Sequence, residues 1–464
     1  MTAPDDWIDQ EARFAAGAML RAVSATNLIK ERPGFGQRVV PGQGSVLASP
    51  IPAAYDPDPD YFFHWFRDSA IIVDASRVAQ AEGSEKQTAV ERLREFVDFD
   101  LALRKLDGRE LVRRGRFREK VQPSFLQYVR PDDEIAAVFG DSVLAEARVN
   151  PDGALDFTRW ARPQNDGSAL QVLALARWRN ARTDVDALQV AMLNLVIGDL
   201  DFIQAHAAEH SFDIWEEESG YHYYIQLAQA EALVRGAEWL EETGDAARAD
   251  GCRSAAGQLN ASLDAYWSAG DGYYRSRTGV VGGVPEKTLD IAVILGVLHA
   301  GRAKGAHSVL DPKAQATLTA LEDLFDAEYP INQQRPPERG PAMGRYGKDA
   351  YYGGNPWYLA TLAAAEFYFR MAIALRSGAG MPVTSENARF RERLGRESPA
   401  QAAFMRGDLF MRTVQAYTPR SGDLSEQFDR ATGAQTSAKH LAWSYAAFIT
   451  AAASRRRADR AIRG

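Results

Sequence analysis

Two short acidic segments, FDIWEEESGYHYY (212–224) and DLSEQFDR (423–430), carry the residues best suited to chemistry. Each sets glutamates among aromatic or hydroxyl groups, and about two hundred residues separate them. Cleaving a glycosidic bond needs two carboxyl groups in opposed states. One is protonated and releases the leaving oxygen; the other is ionised and activates water or attacks the sugar carbon. In the first segment Asp213, Trp215 and the run Glu216-Glu217-Glu218 precede a helix. Adjacent carboxylates disfavour each other's ionisation and a neighbouring indole desolvates them, which can hold one protonated near neutral pH. A helix start complementing its dipole would explain the acids but not the aromatics. In the second segment Glu426 follows Ser425, with Gln427 beside it and Ser437 and Trp443 further on. A carboxylate fixed by hydroxyl donors keeps a low pKa and serves as a base.

Three further clusters share this character. DPDYFFHWFRDSA (58–70) combines Tyr61, Trp65, Arg67 and Asp68, the mixture that packs sugar faces on rings and takes their hydroxyls with fixed polar groups. Arg67 and Asp68 read equally as a helix cap with a salt bridge, and His64 reads as a satisfied, partly buried histidine before a catalytic one. RWARPQNDGSAL (159–170) places Trp160 in a loop, where a large exposed aromatic meets a ligand or partner; Asp166 there is a candidate helix cap. GRYGKDAYYGGNPW (344–357) offers Arg345, Asp349 and Trp357 on a glycine-lined loop that backbone or ligand can approach closely. It lacks the GK[ST] or GxGxxG spacing of a phosphate loop.

The elements that must position these clusters are helical. Periodicity predicts helices at about 6–26, 68–83, 86–106, 167–183, 185–208, 222–243, 246–268, 288–301, 312–328, 356–377, 399–414 and 437–455. Trp7, Glu11, Phe14 and Leu20 show the spacing in the first. The best strand candidate is a ribbon near 271–284, and the stretch 107–157 reads as a long functional loop. Numbering the helices one to twelve, the clusters precede helices two, four, six, ten and twelve. In a ring of helical hairpins, connections of one parity open on the same end, so the clusters are expected to converge there.

Bulk properties narrow the classes. The 464 residues are 46% hydrophobic and 25% charged, as in a well-packed globular protein, and the expectation is one domain over 1–464. A net charge of −8 argues against a nucleic-acid partner. The basic run from Arg455 to Arg463 reads as a frayed, solvated helix end. The single cysteine, Cys252, excludes an internal disulfide, reads as a buried spectator thiol, and leaves no cysteine cluster for a metal. No metal or cofactor is expected. The start lacks the basic and apolar regions of a secretion signal, and no apolar run is expected to reach membrane-spanning length. A cytoplasmic monomer without a membrane partner is the resulting expectation.

In this order the clusters resemble glycoside hydrolase family 15, the glucoamylases. The resemblance runs from about Trp7 to Ala453 through five collinear patterns: DYF–WxRDS, WxRPQxDGxAL, DxWEE, GRY–DxYYxGNPW and LSEQFD–GxQ–SAxxLxWSYA. It implies an all-α (α/α)6 barrel with the active site at one end. It also implies exo-acting, inverting hydrolysis of α-1,4-linked glucans or malto-oligosaccharides from non-reducing ends, releasing β-D-glucose. By motif position Glu216 would be the general acid and Glu426 the general base, with Tyr61 and Ser437 orienting that base and its water. Arg67 and Asp68 would hold hydroxyls of the terminal glucose, and Trp65 and Trp443 would pack nearby. Glu217 and Arg345 would address the terminal and next sugars, and Trp160 and Trp357 would line the outer pocket. Trp215 joins the substrate-binding set, while Asp213 would support the acid, and Asp349 and Gln427 are grouped as supporting residues. An inverting pair is expected to stand roughly 6.5–9.5 Å apart.

Against familiar members, the chain is expected to lack a starch-binding module, a serine/threonine-rich linker, disulfides and an N-terminal β-sandwich. His64 stands next to the sugar pocket where fungal members often carry a small hydroxyl residue. The alternatives are a same-family enzyme on α-1,6 bonds or trehalose, and a non-catalytic carbohydrate sensor. Retention of both glutamates, Arg67 and Asp68 argues against the sensor.

Overall fold

The computed structural model describes residues 4–53, 58–83, 86–181, 185–280, 282–395 and 398–464. Among them twelve helices are nine residues or longer. The first six are α1 (Pro4–Leu20), α2 (Phe66–Ala81), α3 (Lys86–Leu103), α4 (Gly167–Asn180), α5 (Gln189–His206) and α6 (Tyr223–Glu242). The others are α7 (Ala246–Leu263), α8 (Ala292–Ala300), α9 (Pro312–Glu328), α10 (Tyr358–Arg376), α11 (Pro399–Tyr417) and α12 (Ala442–Arg463). Each corresponds to one expected helix; positions 182 and 183 of the expected 167–183 helix, and 281 of the expected ribbon, lie outside the described residues. Within that ribbon Tyr273–Tyr274 pairs with Trp267–Ser268, and Arg277–Thr278 pairs with Tyr221 and His222.

The described residues form two compact units, each discontinuous in sequence. One comprises 18–219 and 232–255; the other comprises residues up to 17, 220–231 and 256–464.

In the 18–219 unit, α2 packs on α4, α4 on α5, and α3 on both α2 and α5. The α2–α4 approach is close enough that a Cβ at Gly167 would lie 2.6 Å from that of Phe66, which explains the glycine after Asp166. Trp178 of α4 is fully buried and donates its indole N–H to the Val73 carbonyl of α2 at 2.9 Å. Burying such a side chain stabilises by about 1.5–3 kcal/mol. The stretch 107–157 is not a plain loop: it forms helices Gly108–Arg114, Arg116–Glu119 and Asp132–Ala136, and Arg148–Val149 pairs antiparallel with His64–Trp65. Asp107 caps the first of these by accepting from the Arg109 backbone N–H. Cys252, on α7 in this unit, is buried, and burial pushes its thiol up to about 11.

In the other unit α10 is the central helix, packed against α8, α11 and α12. It is apolar on nearly every face, the pattern of a helix surrounded by protein. It corrects one expectation: Tyr358–Arg376 is long and apolar enough to cross a membrane, with 78% of its apolar window buried inside the protein. That burial marks it as a core helix. Helix α9 begins at Pro312, and Asp311 caps it by accepting from the Lys313 backbone N–H at 2.8 Å. The basic C-terminal run is also corrected. Helix α12 continues to Arg463, and Arg455 is only 8% exposed, bonded to Asp408 at 2.6 Å and to Asp5 at 2.7 Å. Carboxylates distant in sequence hold Arg455 and the run stays helical, while Arg457, Arg460 and Arg463 are exposed as expected.

Candidate active site

In the 18–219 unit three of the five clusters meet. Residues 213–218 form a tight turn around the carboxylate of Asp213, which accepts backbone N–H groups from Trp215 at 3.3 Å, Glu217 at 2.8 Å and Glu218 at 2.9 Å. This turn sets Glu216 at φ 65°, in the left-handed region that a non-glycine residue rarely occupies. The Glu216 side chain, 12% exposed, receives three donors. Trp65 Nε1 donates to Oε1 at 2.7 Å, an Arg67 guanidinium N–H donates to Oε1 at 3.1 Å, and Trp160 Nε1 donates to Oε2. Clusters 58–70, 159–170 and 212–224 thus converge on one carboxyl group.

Arg67 is itself fixed, donating to Gln164 at 3.0 Å and Asp166 at 3.2 Å. Asp166 precedes α4, but its side chain does not cap that helix; it pairs with Arg67 instead. Asp68, in the first turn of α2, is 6% exposed. Burial pushes its pKa up to about 6, assisted by Glu216 and Asp166 and opposed by Arg67. Burial likewise raises Asp166.

Tyr61 stands edge-on to Trp65 with ring centres 5.4 Å apart. Trp215 is buried, and the Glu217 side chain is exposed to solvent. His64 is fully rather than partly buried. Successive side chains of the His64–Trp65 strand point to opposite faces, so Trp65 reaches Glu216 while His64 is fully buried against Phe66, Phe96 and Phe99. Its Nδ1 accepts from the Val46 backbone N–H at 3.0 Å.

In the other unit the remaining two clusters meet. Trp357 and Gln427 form an antiparallel bridge, and Asn355 donates to the Gln427 side chain at 3.2 Å. A Cβ at Gly354 would fall 1.8 Å from the Asp349 carbonyl, so the glycine is needed to fold this loop back on itself. Arg345 and Asp349 form a two-pronged buried pair at 2.6 and 2.7 Å, and the Arg345 guanidinium lies 5.3 Å from the Trp357 ring centre. Such a fork is held rigidly, as bidentate pairs are. Glu426 is 2% exposed and accepts from the Ser437 hydroxyl, with Ser437 itself at φ 61°. Trp443, at the start of α12, is 5% exposed and lies 6.1 Å from His299.

Sequence reasoning overlooked Arg148, Gln164 and the pairing role of Asp166. Arg148 is almost fully buried, bonded to Asp156 at 2.9 Å, and its guanidinium lies 3.6 Å from the Trp160 ring centre. The wholly polar Gln164-Asn165-Asp166 run after a proline was the available signal for the other two. Among the described residues no group of three or more His, Cys, Asp or Glu side chains is arranged to hold a metal.

An all-α chain of the (α/α)6-barrel class, with carboxyl groups held among indoles and guanidinium groups, is built as a glycoside hydrolase. Comparison identifies which kind. Residues 144–453 match the model of glycosyl hydrolases family 15. Glucoamylase 1 of Rhizopus oryzae is 28% identical, the alignment covering 96% of this chain and 70% of that protein. A probable glucoamylase of Schizosaccharomyces pombe is also 28% identical, over 96% of this chain and 91% of its own length. The structure of a family 15 glucoamylase from Hypocrea jecorina superposes with a TM-score of 0.80 at 27% identity, covering 98% of this chain and 72% of that one. The chain belongs to glycosyl hydrolases family 15.

Proposed function

We propose that the chain is an exo-acting, inverting glucoamylase-type hydrolase that releases β-D-glucose from the non-reducing ends of α-1,4-linked glucans or malto-oligosaccharides. Glu216 is the general acid. It gives its proton to the glycosidic oxygen as the bond to the sugar C1 breaks. Glu426 is the general base. It takes a proton from water as the water oxygen bonds to C1, so the enzyme ends with the proton moved from one carboxyl group to the other and water consumed. The observation that carries the reading is the convergence of Trp65, Arg67 and Trp160, from two separate aromatic clusters, on the Glu216 carboxyl group. They fix the orientation of the group from which the proton is delivered.

The remaining roles are those that the family resemblance implies. Arg67 and Asp68 hold hydroxyls of the terminal glucose, with Trp65 and Trp443 packing on it and Glu217 and Arg345 addressing the terminal and next units. Trp160 and Trp357 line the outer pocket, and Trp215 belongs to the substrate-binding set. Tyr61 and Ser437 orient the base and its water, while Asp213, Asp349 and Gln427 hold the loops on which these residues sit.

The test is proton NMR of a fresh maltotriose digest, with initial rates on maltose, isomaltose and trehalose alongside. β-Glucose should appear first and maltose should be the preferred disaccharide; an initial α-anomer would refute inversion. Glu216→Gln and Glu426→Gln should each lower kcat by several orders of magnitude with unchanged melting temperature, and near-normal turnover in either would remove that residue from the mechanism.

A further inference from the structure

Residues 111–120 supply no side chain to the reaction proposed above, and with Phe35–Gln37 and Phe157 they line a cavity of about 540 Å³. That size falls within the roughly 300–1,000 Å³ of small-molecule sites. Its apolar wall is formed by Phe35, Phe117 and Phe157, the last only 6% exposed, with Phe117 and Phe157 ring centres 5.0 Å apart. Its rim carries Arg114, Arg116 and Lys120. Arg114 is neutralised by Glu110 at 2.8 Å. Among the described residues Arg116 and Lys120 take part in no ion pair, although most arginines of this acidic chain do. Between Arg104 and Lys120 the sequence has eight basic and three acidic residues, a local excess of five positive charges on a chain of net charge −8. Every lining residue except Phe157 lies outside the stretch matched by the family model.

We propose that this cavity binds a small amphipathic anion, its hydrocarbon chain on the phenylalanine wall and its carboxylate at Arg116 and Lys120. The lining argues against a second glucan site. Sugar hydroxyls are held by several acceptors as well as donors, whereas no carboxylate lines this cavity and Gln37 is its one side-chain acceptor. Unpaired cations at the mouth of an apolar pocket match a ligand that is apolar at one end and negative at the other.

The experiment is calorimetric titration of the intact protein with decanoate below its micelle concentration, with decanol and maltoheptaose as comparison ligands. Decanoate should bind one per chain, at least tenfold more tightly than decanol. Arg116→Glu with Lys120→Glu should weaken decanoate at least tenfold, and Arg116→Lys with Lys120→Arg should retain it. Both double variants should keep wild-type turnover of maltose, which verifies their folding. The proposal falls if decanoate gives no heat, if the charge-reversed protein binds it as the wild type does, if decanol binds equally well, or if maltoheptaose displaces it.

Discussion

Arg148 lies over the Trp160 ring, its guanidinium carbon 3.6 Å from the ring centre, while the indole N–H of that same tryptophan donates to Glu216. Asp156 holds the arginine from behind at 2.9 Å, and Arg162 also bonds to Asp156 at 3.1 Å. A buried ion network thus sets the plane of the ring that orients the proposed acid.

Separating ring from donor tests this arrangement. Trp160→Phe keeps an aromatic face on Arg148 and loses the N–H, so kcat on maltose should fall about ten- to a hundredfold with little change in melting temperature. Arg148→Met leaves Asp156 with one cation fewer and should cost roughly 3–5 kcal/mol in urea denaturation, the range for breaking a buried pair. A large loss of stability in Trp160→Phe would make that ring structural.

Asp213 is the next point of leverage. Asp213→Ala removes the acceptor for three backbone N–H groups and should lower stability by at least about 1.5–3 kcal/mol. It should also lower kcat, because the turn no longer holds Glu216 at φ 65°. Asp213→Asn retains one carbonyl acceptor and should recover part of both. Full activity in the alanine variant would show that Glu216 finds its geometry without this turn.

At Ser437 hydroxyl and backbone can be told apart. Ser437→Ala and Ser437→Gly both lose the donor to Glu426, so each should lower kcat about tenfold. Glycine also relieves the cost of φ 61°, about 1–2 kcal/mol for an L-residue. The glycine variant should therefore melt at or above the alanine variant while matching its kcat, and unequal turnover would count against the hydroxyl as the shared cause.

Stability should depend on pH through Glu11. Burial, reinforced by Asp423, pushes its pKa from 4.5 up to about 8. Between those values the native state keeps a proton that the unfolded chain has lost. The associated stability is therefore complete below about pH 4.5 and is lost as pH rises through 8. Glu11→Gln carries no such titration, so its melting temperature relative to wild type should climb by several degrees between pH 5 and pH 8.5. Parallel melting curves over that range would locate the titration elsewhere.

The long helices were legible because each repeats its apolar positions over about two and a half turns or more; α10 is the plainest case, apolar on nearly every face. The helices Gly108–Arg114 and Arg116–Glu119 span at most two turns, too little for a period to emerge from charged residues. His64 and Trp65 were read as one cluster, since a two-residue strand shows no alternation until its partner Arg148–Val149 is known. Arg455 looked solvated because Asp408 and Asp5, which bury it, are remote in sequence. Arg148 went unnoticed for the same reason: twelve residues separate it from the ring it supports, and nothing between them signals stacking.

Two of the nine tryptophans of this chain, Trp65 and Trp160, end on a single carboxyl group. Indole emission responds to what its N–H touches, so the intrinsic fluorescence of the protein carries a signal from Glu216 itself. Protonating that group, replacing it with glutamine, or drawing it toward a sugar should each alter the spectrum. The residue proposed to move the proton can thus be watched in real time without a label, including in variants that no longer turn over.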